Sequence, residues 1–318
     1  MTLIRYLIAI AAVVALAVGA LYAYSPARGL DVINSLYPGD GGVERVASAV
    51  QFEPGPRGLL DVWAQPAPQP APQGAARGAA LGAHAKPVLV FFYGGGWANG
   101  SRLDYGFVAK AYAARGYIVV LPDYRLVPQV RFPAFLQDAA AAVRWTHDNI
   151  ARFGGDPDRI AVAGHSAGGY LAVMLALDGR YLRAAGADPS VIKAAIGLAG
   201  PYDFFPFVKR RSIDAMSRAP DPLATQPITF ARADAPPLLL VAGTADTEVR
   251  PRNAINLAAR EQALGSTTTR LRQYPGLDHN DLIMALSKPF RTKAPLLEES
   301  VAFLHDSMNR APPGRPAR

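Results

Sequence analysis

The chain has 318 residues, a formal net charge of +8 and no cysteine, which excludes disulfides, thiolate catalysis and cysteine-ligated metals. Half of the residues are hydrophobic and 18% are charged, below the usual share of about a quarter. This balance suits one α/β domain with a large core and excludes a wholly disordered chain. The sequence pI of 9.8 raises nucleic acid or an anionic membrane as a partner. However, the basic residues are scattered, and the densest cluster, Lys209, Arg210 and Arg211, is too short for a nucleic-acid-binding stripe.

Arg5 precedes an uncharged stretch over 6–24 rich in Leu, Ile, Val and Ala. Against a third reading, a buried core helix, it reads as a signal peptide or a membrane anchor. Its length is at the lower limit for crossing a bilayer of about 30 Å, and Val18-Gly19-Ala20 offers the small residues of a cleavage site. Either reading leaves Arg5 in the cytoplasm and carries the rest across the membrane, for a periplasmic or membrane-anchored location. Residues 25–49, with Pro26, Pro38 and the 39–42 turn cluster, read as a tether. The folded domain is expected over 50–309, interrupted by a mobile Pro-, Ala- and Gly-rich loop at 65–85 and followed by a disordered tail at 310–318.

Within that domain, residues 50–63 read as two short strands around the turn Pro54-Gly55-Pro56. Strands follow at 88–92, 118–121, 160–163, 194–198, 238–242 and 268–274. Helices are expected at 105–115, 134–153, 168–177, 253–264 and 296–308. Short apolar runs such as VLVFF are the mark of strands covered on both faces, and their alternation with helices implies a mainly parallel sheet.

Gly164-His165-Ser166-Ala167-Gly168 lies between a buried strand and a helix. A sharp turn there lifts the Ser166 hydroxyl above the sheet edge, where it can act as a nucleophile. A serine needs a base. Of the five histidines, His84 lies in the loop, His147 and His305 lie within helices, and His165 is badly directed on the elbow itself. His279, in the loop after the strand ending near Tyr274, remains. Asp246 follows the 238–242 strand at the same sheet edge and is the acid expected to orient His279, with Glu248 as runner-up. Tyr93-Gly94-Gly95-Gly96-Trp97 follows the 88–92 strand, and its backbone N–H groups, with that of Ala167, suit an oxyanion hole.

Together with Asp123-Tyr124-Arg125-Leu126, FPAFLQD at 132–138 and FGGDPDRI at 153–160, these motifs resemble the α/β-hydrolase esterases. The nearest branch is the bacterial carboxylesterase group related to hormone-sensitive lipase and feruloyl esterases. The resemblance implies an α/β-hydrolase fold, with a mostly parallel central sheet, helices on both faces and a small cap. It implies Ser166, Asp246 and His279 as the triad and Gly95, Gly96 and Ala167 as oxyanion donors. Asp123, Arg125 and Asp156 would brace the loops, or else form ordinary surface ion pairs and turn caps. Two residues depart from the family pattern: Tyr93 stands where a His is usual, and Asp278, beside the base, where Gly is common. A carboxylate there is expected to raise the pKa of the base or compete with Asp246.

The segment 201–236, with Tyr202, Phe204, Phe205, Phe207, Ile213, Met216 and Phe230, reads either as a cap over the substrate pocket or as packing on the domain. The expected function is a serine carboxylesterase acting on small-molecule esters, with no cofactor, no metal and no nucleic acid. The alternatives are an amide-cleaving hydrolase (a formamidase or peptidase), or an inactive membrane-tethered binding protein of the same fold.

Overall fold

The computed structural model describes residues 19, 26–66 and 85–309. The leader apart from Gly19, the body of the 65–85 loop and the tail lie outside the described residues. Among the described residues no helix is long and apolar enough to cross a membrane.

The strands are β1 (Glu44–Gln51), β2 (Leu59–Ala64), β3 (Lys86–Phe92), β4 (Ile118–Pro122), β5 (Gly155–His165), β6 (Ile192–Leu198), β7 (Leu238–Gly243) and β8 (Arg270–Tyr274). They form one sheet in the order β1-β2-β4-β3-β5-β6-β7-β8. The β1–β2 and β2–β4 pairs are antiparallel and all others parallel. The apolar runs of β4 and β7 are buried at every position, as strands sheltered on both faces must be. The edge strand β8 instead mixes Arg and Gln with one buried residue, Tyr274.

The helices are α1 (Pro26–Ser35), α2 (Gly106–Ala113), α3 (Ala134–Asn149), α4 (Ala167–Leu177), α5 (Arg180–Ala184), α6 (Arg210–Met216), α7 (Arg252–Ala263), α8 (His279–Met284) and α9 (Leu296–Met308). From β3 the chain steps one way to β4, then back past β3 to β5. Right-handed crossovers therefore put α2 and α3 on opposite faces. Tyr112 of α2 bonds Ser300 of α9 at 2.8 Å. Every residue of α4 is buried, which explains why its sequence is apolar all round.

The reversal of direction has a functional consequence. β3 and β5 lie at the switch point of the sheet, and ligands bind such sheets in the crevice beyond the carboxyl ends of the strands there. The register aligns those ends: Phe92 with Gly164, His165 with Leu198, and Gly243 with Tyr274. The glycine loop, the elbow and the loops carrying Asp246 and His279 thus open on one rim.

The structure differs from the sequence reading in several places. Residues expected as a tether form α1 and the start of β1. Pro26 takes the first helical position, where its missing N–H costs nothing. Leu30 is buried, and the Asn34 side chain accepts the Lys288 backbone N–H at 2.7 Å. The helix expected over 134–153 ends at Asn149 and tightens into a 3-10 turn, closed by Gly154 at φ 81°. The short helices α5, α6 and α8 carry too little periodicity to be read from sequence.

Candidate active site

Ser166 sits between β5 and α4 with φ 55° and ψ −119°. A side chain in this region costs about 1–3 kcal/mol and persists only where its surroundings enforce it. The Ser166 N–H donates to the Leu198 carbonyl at 2.8 Å, and its own carbonyl accepts the Tyr170 N–H at 3.0 Å. The flanking glycines are needed for space: a Cβ on Gly164 would overlap the Gly168 backbone, and one on Gly168 would overlap the Phe92 carbonyl. Among the described residues Ser166 Oγ holds no hydrogen bond. It faces a cavity of about 1270 Å³ that Gly94, Gly95, Gly96, Ala167 and His279 also line.

Asp246 follows β7 and is buried. Its Oδ1 accepts the N–H groups of Glu248 and Val249, each at 2.8 Å. Its Oδ2 lies 2.8 Å from His279 Nδ1. Because a carboxylate only accepts, the neutral form of His279 carries its proton on Nδ1 and leaves Nε2 bare, which is the tautomer a general base requires. Glu248, the runner-up acid, is exposed and pairs with Lys209 at 3.5 Å.

His279 opens helix α8 rather than lying in a loop. Asp278 is the cap of that helix, its Oδ1 taken by the N–H groups of Asn280 and Asp281 at 2.9 and 2.8 Å. Asp281 returns the bond to the Asp278 N–H at 3.0 Å. This capping box occupies the Asp278 carboxylate, so the expected competition with Asp246 has no geometric basis.

The glycine loop folds against the elbow. A Cβ at Gly94 would lie 3.3 Å from Ser166 Cβ and 2.9 Å from His165 Nδ1. Gly95 and Gly96 have φ of 131° and 60°, which glycine adopts without strain. Their N–H groups hold no hydrogen bond among the described residues. The Ala167 N–H, at the first position of α4, has no intrahelical partner. The Gly94 N–H donates to the Tyr105 hydroxyl at 3.1 Å, and burial pushes that phenol up to about 12. Tyr93, the departure from the family pattern, stacks on Tyr124 with ring centroids 4.4 Å apart. It accepts from Arg57 at 3.0 Å, and Tyr124 donates to its carbonyl at 2.8 Å. The loop is therefore anchored through buried tyrosines.

Asp123 and Arg125 tie separate segments together, whereas Asp156 caps and pairs within its own turn. Asp123 holds the N–H of Arg102 at 2.8 Å and its guanidinium, while Arg102 also reaches Asp61 at 3.0 Å. Arg125 pairs with Asp138, and Asp156 with Arg159 at 2.7 Å.

The sequence reading set His165 aside, yet it supports the base. Its Nε2 lies 3.0 Å from the His279 carbonyl and its ring centroid 4.7 Å from that of His279. The carbonyl fixes the proton on Nε2, leaving Nδ1 buried and without a partner among the described residues. Burial, then the proximity of His279, lowers the His165 pKa to about 3, so it stays neutral beside the base. Nothing in a single sequence links positions 165 and 279.

The segment at 201–236 divides between its two readings. Tyr202 and Met216 are buried in the domain, Phe205 is exposed, and Phe204 lines the cavity, stacked on Trp97 at 6.2 Å. Ala27, Arg28 and Leu30 of α1 form another wall.

A strained serine elbow at a sheet's switch point, with an Asp–His pair and free loop amides at the same rim, defines an α/β-hydrolase. The family model BD-FAE matches residues 80–260, more than half of the chain, and the chain belongs to that family. It is 32% identical over 246 residues to esterase LipC of Mycobacterium tuberculosis, covering 70% of this chain and 57% of that one. The chain spans no more than about 57% of the length of the first curated relatives it matches. The esterase of Pyrobaculum calidifontis has the same fold at a TM-score of 0.68 and 21% identity, over 92% of this chain and 94% of that one. Esterase 2 of Thermogutta terrifontis follows at 0.65 and 24%, over 86% and 98%.

Proposed function

We propose that this chain is a serine carboxylesterase that works through an acyl-enzyme. The observation that carries the reading is the Asp246–His279 pair, with bare Nε2, on the same cavity as the elbow hydroxyl of Ser166. His279 takes the Ser166 proton as Oγ attacks the ester carbonyl. The resulting oxyanion accepts from the Gly95, Gly96 and Ala167 N–H groups, each such donor lowering the barrier by about 3 kcal/mol. His279 then protonates the departing alcohol and activates water for deacylation. The names of the curated relatives support this reaction class, LipC as an esterase and NlhH as a carboxylesterase.

The apolar stretch at 6–24 supports export of the domain or its attachment to a membrane. The test of function is hydrolysis of a short-chain para-nitrophenyl ester by the full chain. Turnover that falls roughly 10⁴-fold or more in Ser166→Ala supports the reading. Turnover that survives in this variant, or a folded wild type that hydrolyses neither esters nor amides, refutes it.

A further inference from the structure

The three-residue cluster Lys209-Arg210-Arg211 is too short for a nucleic-acid-binding stripe. In the fold all three residues line the cavity. Arg28, Lys209, Arg210, Arg211, Arg250 and Arg252 line that cavity, against two carboxylates, Asp104 and Glu248. Both carboxylates are already engaged, Asp104 with Arg28 at 4.0 Å and Glu248 with Lys209 at 3.5 Å. Arg210 is taken by Asp214 on its own helix at 2.9 Å.

Arg211 differs from its sequence neighbours Lys209 and Arg210, which are paired, and from Arg250 and Arg252, also without an ion pair among the described residues, in its place against the glycine loop. Among the described residues its side chain forms no hydrogen bond, ion pair or ring contact, although Arg is usually matched to a carboxylate where one is in reach. Its stem lies across Gly96, with Arg211 Cδ the nearest atom to the point where a Cβ of that residue would stand and Nη1 3.2 Å from the same point. Packing of the apolar stem on the glycine thus holds the guanidinium beside a candidate oxyanion donor, with its donors open to the cavity. Apolar side chains of Trp97, Phe204 and Ile283 also line the cavity.

We propose that Arg211 is a specificity-determining residue that binds a carboxylate on the ester substrate, so that the enzyme prefers esters carrying a second, anionic acid group. This rests on the carboxylesterase reading of the same site. A planar fork with five N–H donors matches a carboxylate in two parallel hydrogen bonds. The uncompensated positive charge of the rim draws anionic substrates toward the cavity.

The test compares two esters of equal chain length, the mono-para-nitrophenyl ester of adipic acid and para-nitrophenyl hexanoate. A third substrate, a nitrophenyl butyrate with a carboxylate on the ring, moves the anion to the alcohol side. The full chain is expected to give a higher kcat/KM for one of the two anionic esters than for its neutral counterpart. Arg211→Gln lowers that preference roughly tenfold to a hundredfold, mainly through KM, and Arg211→Lys lowers it less. Arg210→Gln removes the same net charge and leaves the preference within about twofold, since that side chain is held by Asp214. Raising the ionic strength weakens the preference.

A wild type that hydrolyses the neutral esters with no preference for either anionic one overturns the inference and leaves the esterase reading standing. So does an Arg211→Gln variant that slows neutral and anionic esters equally, which would mean that the guanidinium serves the oxyanion itself. Equal loss of preference from Arg210→Gln and Arg211→Gln also overturns the assignment to Arg211. A wild type inactive on all of these esters refutes the esterase reading and this inference with it.

Discussion

Replacing Asp246 by Asn isolates the electronic role of the carboxylate. Asn keeps an acceptor oxygen for the Glu248 and Val249 N–H groups, each now bonded at 2.8 Å, so the loop after β7 retains its shape. It then turns an amide N–H₂ toward His279 Nδ1, where the carboxylate oxygen now sits at 2.8 Å. Two donors cannot share that contact, and the imidazole must move its proton to Nε2. The base is then blocked on the side that faces Ser166, and the imidazolium formed during attack loses its counter-charge. The expected fall in kcat is roughly a thousandfold to ten-thousandfold, about 4–5.5 kcal/mol. The assay is steady-state hydrolysis of para-nitrophenyl butyrate, alongside thermal unfolding to show that the fold is kept. Asp246→Ala adds a stability loss, because each of the two N–H groups left unpaired costs about 1–3 kcal/mol. A kcat within tenfold of wild type in folded Asp246→Asn would show that the 2.8 Å pair does not set the base, and the assignment of roles would fail.

Further outcomes follow from the same geometry. Glu248→Gln is expected to leave kcat within a few-fold of wild type, because that carboxylate is exposed and pairs with Lys209, and a large loss would restore it as the acid. His165, with its pKa held down to about 3 against an unfolded value near 6.5, is neutral in the fold. The unfolded state takes up its proton first as pH falls, so its contribution is complete above about pH 6.5 and declines toward pH 3. At pH 5 the loss is about 2 kcal/mol relative to pH 7.5, and His165→Gln should reduce the acid-induced drop in Tm, whereas an unchanged drop would contradict the shift. Gly168→Ala places a methyl against the Phe92 carbonyl and should destabilise by about 3 kcal/mol or prevent folding; a Tm equal to wild type would contradict the packing of α4 on β3. Asp278→Ala removes the cap of α8 and should lower stability by about 1 kcal/mol, measured by chemical denaturation; no change would show that the capping box contributes nothing.

The parts of this molecule legible in sequence are those where one strong local rule operates. Buried strands such as β3 and β7 are short apolar runs, and every strand from β3 to β8 overlaps its expected span. The elbow is legible because only glycine fits at 164 and 168 once a side chain must turn between β5 and α4. Ser166, Asp246 and His279 each follow a strand, and the parallel register carries all three to one rim.

What escaped the reading depends on contacts between distant segments. Helix α1 is held by Leu30 and by Asn34 against Lys288, neither of which has a local signature. The orientation of Asp278 as a cap, rather than toward the base, follows from α8 beginning at His279, a helix too short to show periodicity. The bond from His165 to the His279 carbonyl joins segments 114 residues apart. Arg211 reads as one member of a basic run until its stem is seen across Gly96.

The central claim is that the bare nitrogen of His279 turns Ser166 into a nucleophile. The most direct measurement is peptide mapping by mass spectrometry after reaction with an active-site phosphonate. A single adduct on Ser166, formed quickly in wild type and at a rate reduced by at least about a thousandfold in folded His279→Gln, is the expected result. An adduct on another residue, or labelling of Ser166 that proceeds unchanged without the imidazole, would contradict the account.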